Sequence, residues 1–306
     1  MKKYLFGFLM FFALSVDAQY HEVSLGVGIA NYYGDLSLIN TSTSVIEPIT
    51  SFSFRDIKMG YTGEYRYHFK KHFSVALCLS HLYVSAYDSD NESNQEYDRA
   101  FYRKIRNLSF HSTINEANIN VRYEPFRNEE KWNQNKFHLS PYIGLGVGIF
   151  KFNPKAFYNG NEYELQPLGT EGQGLPGAKA KYSLTQFSLP MILGFKVTAP
   201  NRKVSMAIDV AYRWTTTDYL DDVSTVYADP AVFTANYSAS EAALISALAE
   251  RRQEIDPAGN YAAVTNKGEI RGWANNTDAF LTAQVRFSFL LPSFKGESTD
   301  CYRISR

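Results

Sequence analysis

Counting by twos along residues 136–152 separates two chemically unlike faces. Phe137, Leu139, Pro141, Ile143, Leu145, Val147 and Ile149 fall on one, and His138, Ser140, Tyr142, Gly144, Gly146 and Gly148 on the other. Alternation of period two over this length predicts a β-strand with one apolar face and one small or polar face. The pattern recurs along the chain. Val23, Leu25, Val27 and Ile29 oppose Ser24, Gly26, Gly28 and Ala30, and Met59, Tyr61, Tyr65, Tyr67 and Phe69 oppose Lys58, Thr62, Glu64, Arg66 and His68. After a tight turn at Lys70-Lys71-His72, Phe73, Val75, Leu77 and Leu79 begin a return strand with Ser74, Ala76, Cys78 and Ser80 on its other face. Further strands are expected over residues 117–123, 187–197, 204–214 and 279–289.

About eight strands result, and the connections between them run alternately long and short. A membrane barrel of the outer-membrane type has this rhythm, with short periplasmic turns and long extracellular loops. A soluble eight-stranded barrel would line its interior with the apolar face. Here the opposite face holds the charges, and an Arg or Lys turned to lipid near the midplane costs about 2–4 kcal/mol. The expected fold is therefore an eight-stranded antiparallel transmembrane β-barrel, all-β, with Glu64, Arg66, Glu116, Arg122, Glu124, Asp209, Arg213 and Arg286 in the lumen. Eight strands leave an interior just wide enough for side chains, so these charges are expected to form a plug of ion pairs rather than a conduit.

The ends of the chain read differently. Met1-Lys2-Lys3, the apolar run from Tyr4 to Leu14 and the small residues near Val16-Asp17-Ala18 are the three parts of a secretory signal. The expected organisation is a signal peptide at 1–18, the barrel at 19–291 and a polar periplasmic tail at 292–306. No later run is apolar enough for a membrane helix, and the mean hydropathy is -0.29. An alternating barrel strand escapes any window average, so this excludes only a helical membrane protein. The 22 Tyr, 22 Phe and 3 Trp suit interfacial girdles, and 31 Lys+Arg against 31 Asp+Glu give no electrostatic case for nucleic acid. Cys78 and Cys301 make no disulfide framework and are expected as free thiols.

Three groups of candidate chemistry remain. His81 and His111 flank the second long loop, where Ser80, Ser109 and Asp88 also lie, and they form the best case for a barrel enzyme acting on lipids or peptides at the outer rim. They stand in no nucleophile motif, and interfacial or hydrogen-bonded histidine is the expected role. Asp218, Asp221, Asp222 and Asp229 lack the alternate spacing of an EF-hand loop, so turn and cap duty is expected of them rather than cation binding. Within the longest loop, residues 240–252 predict a helix with a serine cap, Glu241 near its start and Arg251-Arg252 at its end. No catalytic, cofactor or metal residue is assigned.

Three loop phrases resemble a known family. Asn31-Tyr32-Tyr33-Gly34-Asp35-Leu36 follows the first strand, Leu165-Gln166-Pro167-Leu168-Gly169-Thr170-Glu171-Gly172-Gln173-Gly174 lies in the third long loop, and Thr217-Asp218-Tyr219-Leu220-Asp221-Asp222-Val223-Ser224 follows the seventh strand. Together with the signal-plus-barrel plan they are similar to PorG-like outer-membrane barrels of the Bacteroidota type IX secretion system. The resemblance implies a non-enzymatic barrel that anchors or organises a periplasmic ring of PorK- and PorN-like proteins, with no cofactor. It places the partner surface at the periplasmic end, where Trp132, Lys295, Arg303 and Arg306 are expected.

Overall fold

The computed structural model describes residues 20–36, 58–91, 99–127 and 136–291. The expected signal peptide and the tail at 292–306 lie outside the described residues, and so do Trp132, Cys301, Lys295, Arg303 and Arg306. Ten strands are present: β1 (Tyr20–Tyr33), β2 (Lys58–Lys70), β3 (Phe73–Tyr87), β4 (Ser109–Tyr123), β5 (His138–Lys151), β6 (Lys155–Tyr158), β7 (Asn161–Glu164), β8 (Thr185–Thr198), β9 (Val204–Thr215) and β10 (Ala279–Leu291). Eight of them close into an antiparallel barrel, because β10 pairs with β1 as well as with β9. The hairpin of β6 and β7 hangs from the end of β4 through His111 and Lys155.

The register fixes the barrel's stagger. From His21 the paired residues lead through Tyr67, Val75, Val121, Leu145, Met191, Tyr212 and Leu281 back to Asn31 on the starting strand. The circuit returns ten residues further along β1, and a stagger of this size tilts the strands by roughly 35–45° to the axis.

Burial confirms which face points where. Leu25, Leu145 and Val147 are 73%, 61% and 63% exposed, whereas Glu64, Arg66 and Arg122 are 5%, 1% and 1% exposed. A barrel with its apolar face outside and its charges inside can satisfy both only across a bilayer, so this is a transmembrane barrel of the outer-membrane type. Cys78 is a free, buried thiol on the inner face.

The polarity of the two faces inverts toward the ends that carry the long loops. Above Ser80 the inward residues of β3 are Leu82, Val84 and Ala86, all buried, while the outward ones are His81, Tyr83 and Ser85. On β4 the inward Ile114 and Phe110 face outward Asn115, Thr113 and His111 in the same way. The outward face has become polar, with His81 and Asn115 exposed and His111 buried against Phe157 of β6, and the inside has become a core. That core joins Leu82, Val84, Phe110, Ile114, Phe150 and Phe280 to Leu36, Leu220 and Val223 from the loops. The inner face was expected to stay small or polar throughout, and the upper barrel corrects that expectation.

Over their described residues the second, third and fourth long loops are folded. The second contains α1 (Arg99–Arg106), the third contains β6, β7 and α2 (Leu165–Leu168), and the fourth contains α3 (Pro230–Asn236) and α4 (Ala239–Ala249). The predicted helix is present but shorter at its C-terminus. Its cap is Ser238, which receives the Glu241 N–H while the Glu241 side chain takes the Ser238 N–H, and Arg251 and Arg252 follow the helix. α3 and α4 bury Phe233, Ala242, Ile245 and Ala249 against Leu168 and Leu175 of the third loop.

This topology places the Lys70-Lys71 turn and the 199–203 turn on the periplasmic side, with the folded cap outside. Epitope tags inserted near Asn159-Gly160 or Gly259 are expected to be labelled on intact cells, and tags at 199–203 only after permeabilisation. The reverse pattern would overturn the orientation.

Candidate functional site

Among the described residues the lower lumen holds five carboxylates, Glu22, Glu64, Glu116, Glu124 and Asp209, against five cations, Arg66, Arg122, Lys196, Arg213 and Arg286. The count is balanced, so the interior can be neutral by pairing alone. Glu64 is its hub. It accepts from Arg66 at 2.6 Å and from Arg122 at 2.5 Å, and it also pairs with Arg286, which reaches across to Asp209. Arg213 donates to Glu116 at 2.8 Å, and Arg66 stands 3.6 Å from Glu124. All eight sequence-predicted lumen residues are thus inside, in two linked groups.

Three further members join those eight. Lys196 donates to Glu22 at 2.6 Å, and the His68 ring lies 3.0 Å from the same carboxylate. The alternation already turns His68 and Lys196 inward with the polar faces of their strands; Glu22 lies one residue before the alternating run of β1. Tyr142 fills the space between the groups, its hydroxyl donating to Asp209 at 2.9 Å and its ring beneath Arg122. Gly194 makes room for it, since a Cβ there would fall 2.5 Å from the Tyr142 ring. This packing leaves the lumen plugged by side chains, each charge offset by a neighbour.

The second constellation lies in the outer cap, where all three loop phrases meet. Arg271 is its centre. Its Nη1 donates to Glu171 Oε1 at 3.0 Å and to the Asp222 carbonyl at 2.5 Å, and its Nε to the Ala249 carbonyl at 3.3 Å. Glu171, from the third loop, also receives the N–H groups of Ser224 and Thr225 and the Thr225 hydroxyl at 2.6 Å. Asp222 accepts from Thr170 at 2.5 Å and from Tyr182 at 2.6 Å. Burial pushes its carboxyl up to about 6, with Arg271 pulling the other way. Asp35 takes the Trp273 N–H at 2.7 Å, and Arg106 donates to the carbonyls of Asp35 and Arg271 while forking onto Asp88 at 2.7 and 2.8 Å.

Asp221, Asp222 and Asp229 of the fourth loop serve as anchors and caps, whereas both oxygens of Asp218 are buried and accept no hydrogen bond from the described residues. Asp221 accepts from Tyr32 and Val223, and Asp229 caps α3 through the Ala231 N–H while pairing with Lys267 at 2.7 Å. Among the described residues no three metal-capable side chains converge. His81 pairs with Asn115 at 2.7 Å, and His111 with Glu162 at 2.8 Å between the rings of Tyr83 and Phe157. Neither imidazole is engaged by the Ser80, Ser109 or Asp88 that the sequence places near it; Asp88 is taken up by Arg106, and Ser109 by Arg251.

Solved structures with a similar trace are bacterial surface barrels. Ail, the attachment invasion locus protein of Yersinia pestis, solved with the heparin analogue sucrose octasulfate, aligns over 90% of this chain and 100% of its own at 10% identity and a TM-score of 0.37. Neisserial surface protein A aligns over 89% and 99% at 6% identity and 0.38, and OprG of Pseudomonas aeruginosa over 90% and 97% at 11% identity and 0.35. Likeness at this level carries nothing about binding or activity. No curated protein matches the sequence significantly. A family model does match, over residues 1–230, and the chain accordingly belongs to the family described as a domain of unknown function, DUF6089.

Proposed function

We propose that this outer-membrane barrel is a non-enzymatic anchor of the type IX protein secretion machinery, organising a periplasmic ring of PorK- and PorN-like proteins. The observation that carries the reading is the meeting of the three loop phrases on which the resemblance rests. Stretches 52 to 189 residues apart interlock through Tyr32–Asp221, Thr170–Asp222 and Glu171–Ser224. The resemblance therefore rests on one physical unit, the cap latch, and not on scattered matches.

The balanced, plugged lumen supports anchoring over conduction, because a route through it would require separating Arg286 and Arg122 from Glu64. The ring contact belongs to the periplasmic end, with Trp132, Lys295, Arg303 and Arg306 as its candidate residues. Affinity purification from solubilised envelopes is expected to recover PorK- and PorN-like proteins with the intact chain. Deleting 293–306 is expected to reduce that recovery while leaving a folded, heat-modifiable barrel. Reproducible absence of ring proteins from the intact chain's eluate would remove the secretion role. Undiminished recovery after the deletion would remove the tail from the contact.

A further inference from the structure

Tyr32 Oη lies 2.6 Å from Asp221 Oδ2 and 2.8 Å from Asp278 Oδ1. A phenol carries one hydrogen and can satisfy one carboxylate as a donor. The other oxygen must then meet it lone pair to lone pair or bring a proton of its own. The surroundings distinguish the two acids. Asp221 already acts as a full acceptor, taking the Leu36 N–H at 3.3 Å on Oδ2 and the Val223 N–H at 2.9 Å on Oδ1. Asp278 receives the Leu220 N–H on Oδ2 at 2.8 Å, which leaves Oδ1 facing Tyr32.

The three groups are buried, 1–2% exposed, and they are closely confined. A Cβ on Gly34 would fall 1.9 Å from both Asp278 Oδ1 and Tyr32 Oη, so these oxygens occupy the place of a side chain and only glycine fits beside them. The ionisable neighbours are acidic too: Asp35 after β1 and Asp218 in the fourth loop. Of the nearby cations, Arg106 pairs with Asp88 and Arg271 with Glu171 and Asp222, while the charge of Arg103 acts on Asp88, Asp35 and Tyr32 together.

We propose that Asp278 holds a proton at neutral pH and donates it to Tyr32, which donates in turn to Asp221, so that one shared proton fastens the fourth outer loop to the end of β1. Burial first, and neighbouring carboxylates next, hold both acids well above the ordinary value of 3.8, and burial pushes Asp218 up to about 8. The sign follows from linkage. A carboxyl whose folded value is raised stabilises the closed cap fully in acid and loses that contribution as pH rises through the folded value. The cap is therefore a clasp that alkali loosens, unlike a carboxylate salt bridge, which acid breaks.

Hydrogen-exchange protection factors of residues 216–278, measured on the full barrel in bilayers, test this. Between about pH 5.5 and about pH 9 protection is expected to fall at least roughly tenfold in the wild type, one unit of linkage. Asp278→Asn supplies a permanent N–H donor to Tyr32 and is expected to flatten the dependence. A pH-independent wild type, or an unchanged dependence in Asp278→Asn, would overturn the proposal. Should that variant fail to fold, infrared spectroscopy on Asp218→Asn at about pH 7.5 decides, a pH at which an ordinary carboxyl is ionised. A protonated carboxyl stretch sustains the clasp, and its absence overturns it.

Discussion

Glu64→Ala is expected to be the most damaging single substitution in the barrel wall, lowering stability by about 3–5 kcal/mol, the cost of breaking a buried ion pair from one side. Arg66, Arg122 and Arg286 all lean on this carboxylate, and each is nearly inaccessible to water. Removing it leaves three guanidinium groups sharing Asp209 and Glu124 in a space too narrow for water to replace the lost acceptors. Urea unfolding in lipid vesicles, followed by heat modifiability on a gel, reads the effect. Glu64→Gln should recover only part of the loss, since an amide accepts a hydrogen bond but does not offset charge. Combining Glu64→Ala with Arg122→Ala should cost less than the two single losses added, because they share one network. A Glu64→Ala barrel with wild-type resistance to urea would show that the lumen pairs do not hold the wall.

The same residue shows what was legible beforehand. Glu64 alternates with Tyr65 in a run where every second side chain is apolar, and a period of two leaves no freedom about which face reaches lipid. The eight wall strands and eight of the lumen's charged residues followed from that alternation, whereas Glu22 and the apolar upper lumen did not. Which charge meets which did not, because partners such as Glu22 and Lys196 are 174 residues apart and meet only through the stagger of a closed sheet. The cap was harder still. Its helix α4 was visible through its serine and glutamate, but α1 and the β6–β7 hairpin are short and charged, the one packing Phe101 on Tyr261 of the fourth loop and the other docking on His111 of β4. A signal for the cap was present in the inversion at His81-Leu82-Tyr83-Val84-Ser85-Ala86, where the apolar residues change face. Read as a boundary, it marks where the bilayer ends and where a folded structure must begin to cover the inward leucine and valine.

Arg271→Met is expected to open this cap while leaving the barrel folded. The guanidinium joins the third loop through Glu171, the fourth through the Asp222 and Ala249 carbonyls, and its own carbonyl receives Arg106 from the second. Methionine retains the bulk and removes every donor, leaving two buried carbonyls and part of a buried carboxylate unsatisfied, a loss of about 3–5 kcal/mol. Asp222 loses its balancing charge as well. Its carboxyl, already at about 6 with Arg271 present, must rise further, so the variant's cap should weaken with increasing pH through neutrality. The damage stays local because the eight-stranded ladder is complete without the loops, and bilayer surroundings leave its backbone groups no other partners. Limited proteolysis should therefore cut within 216–278 at protease levels that spare the wild type, while the core retains its heat-modifiable migration. Simultaneous loss of the cap and the barrel fold would show instead that the two form one cooperative unit, with Arg271 holding the wall as well as the loops.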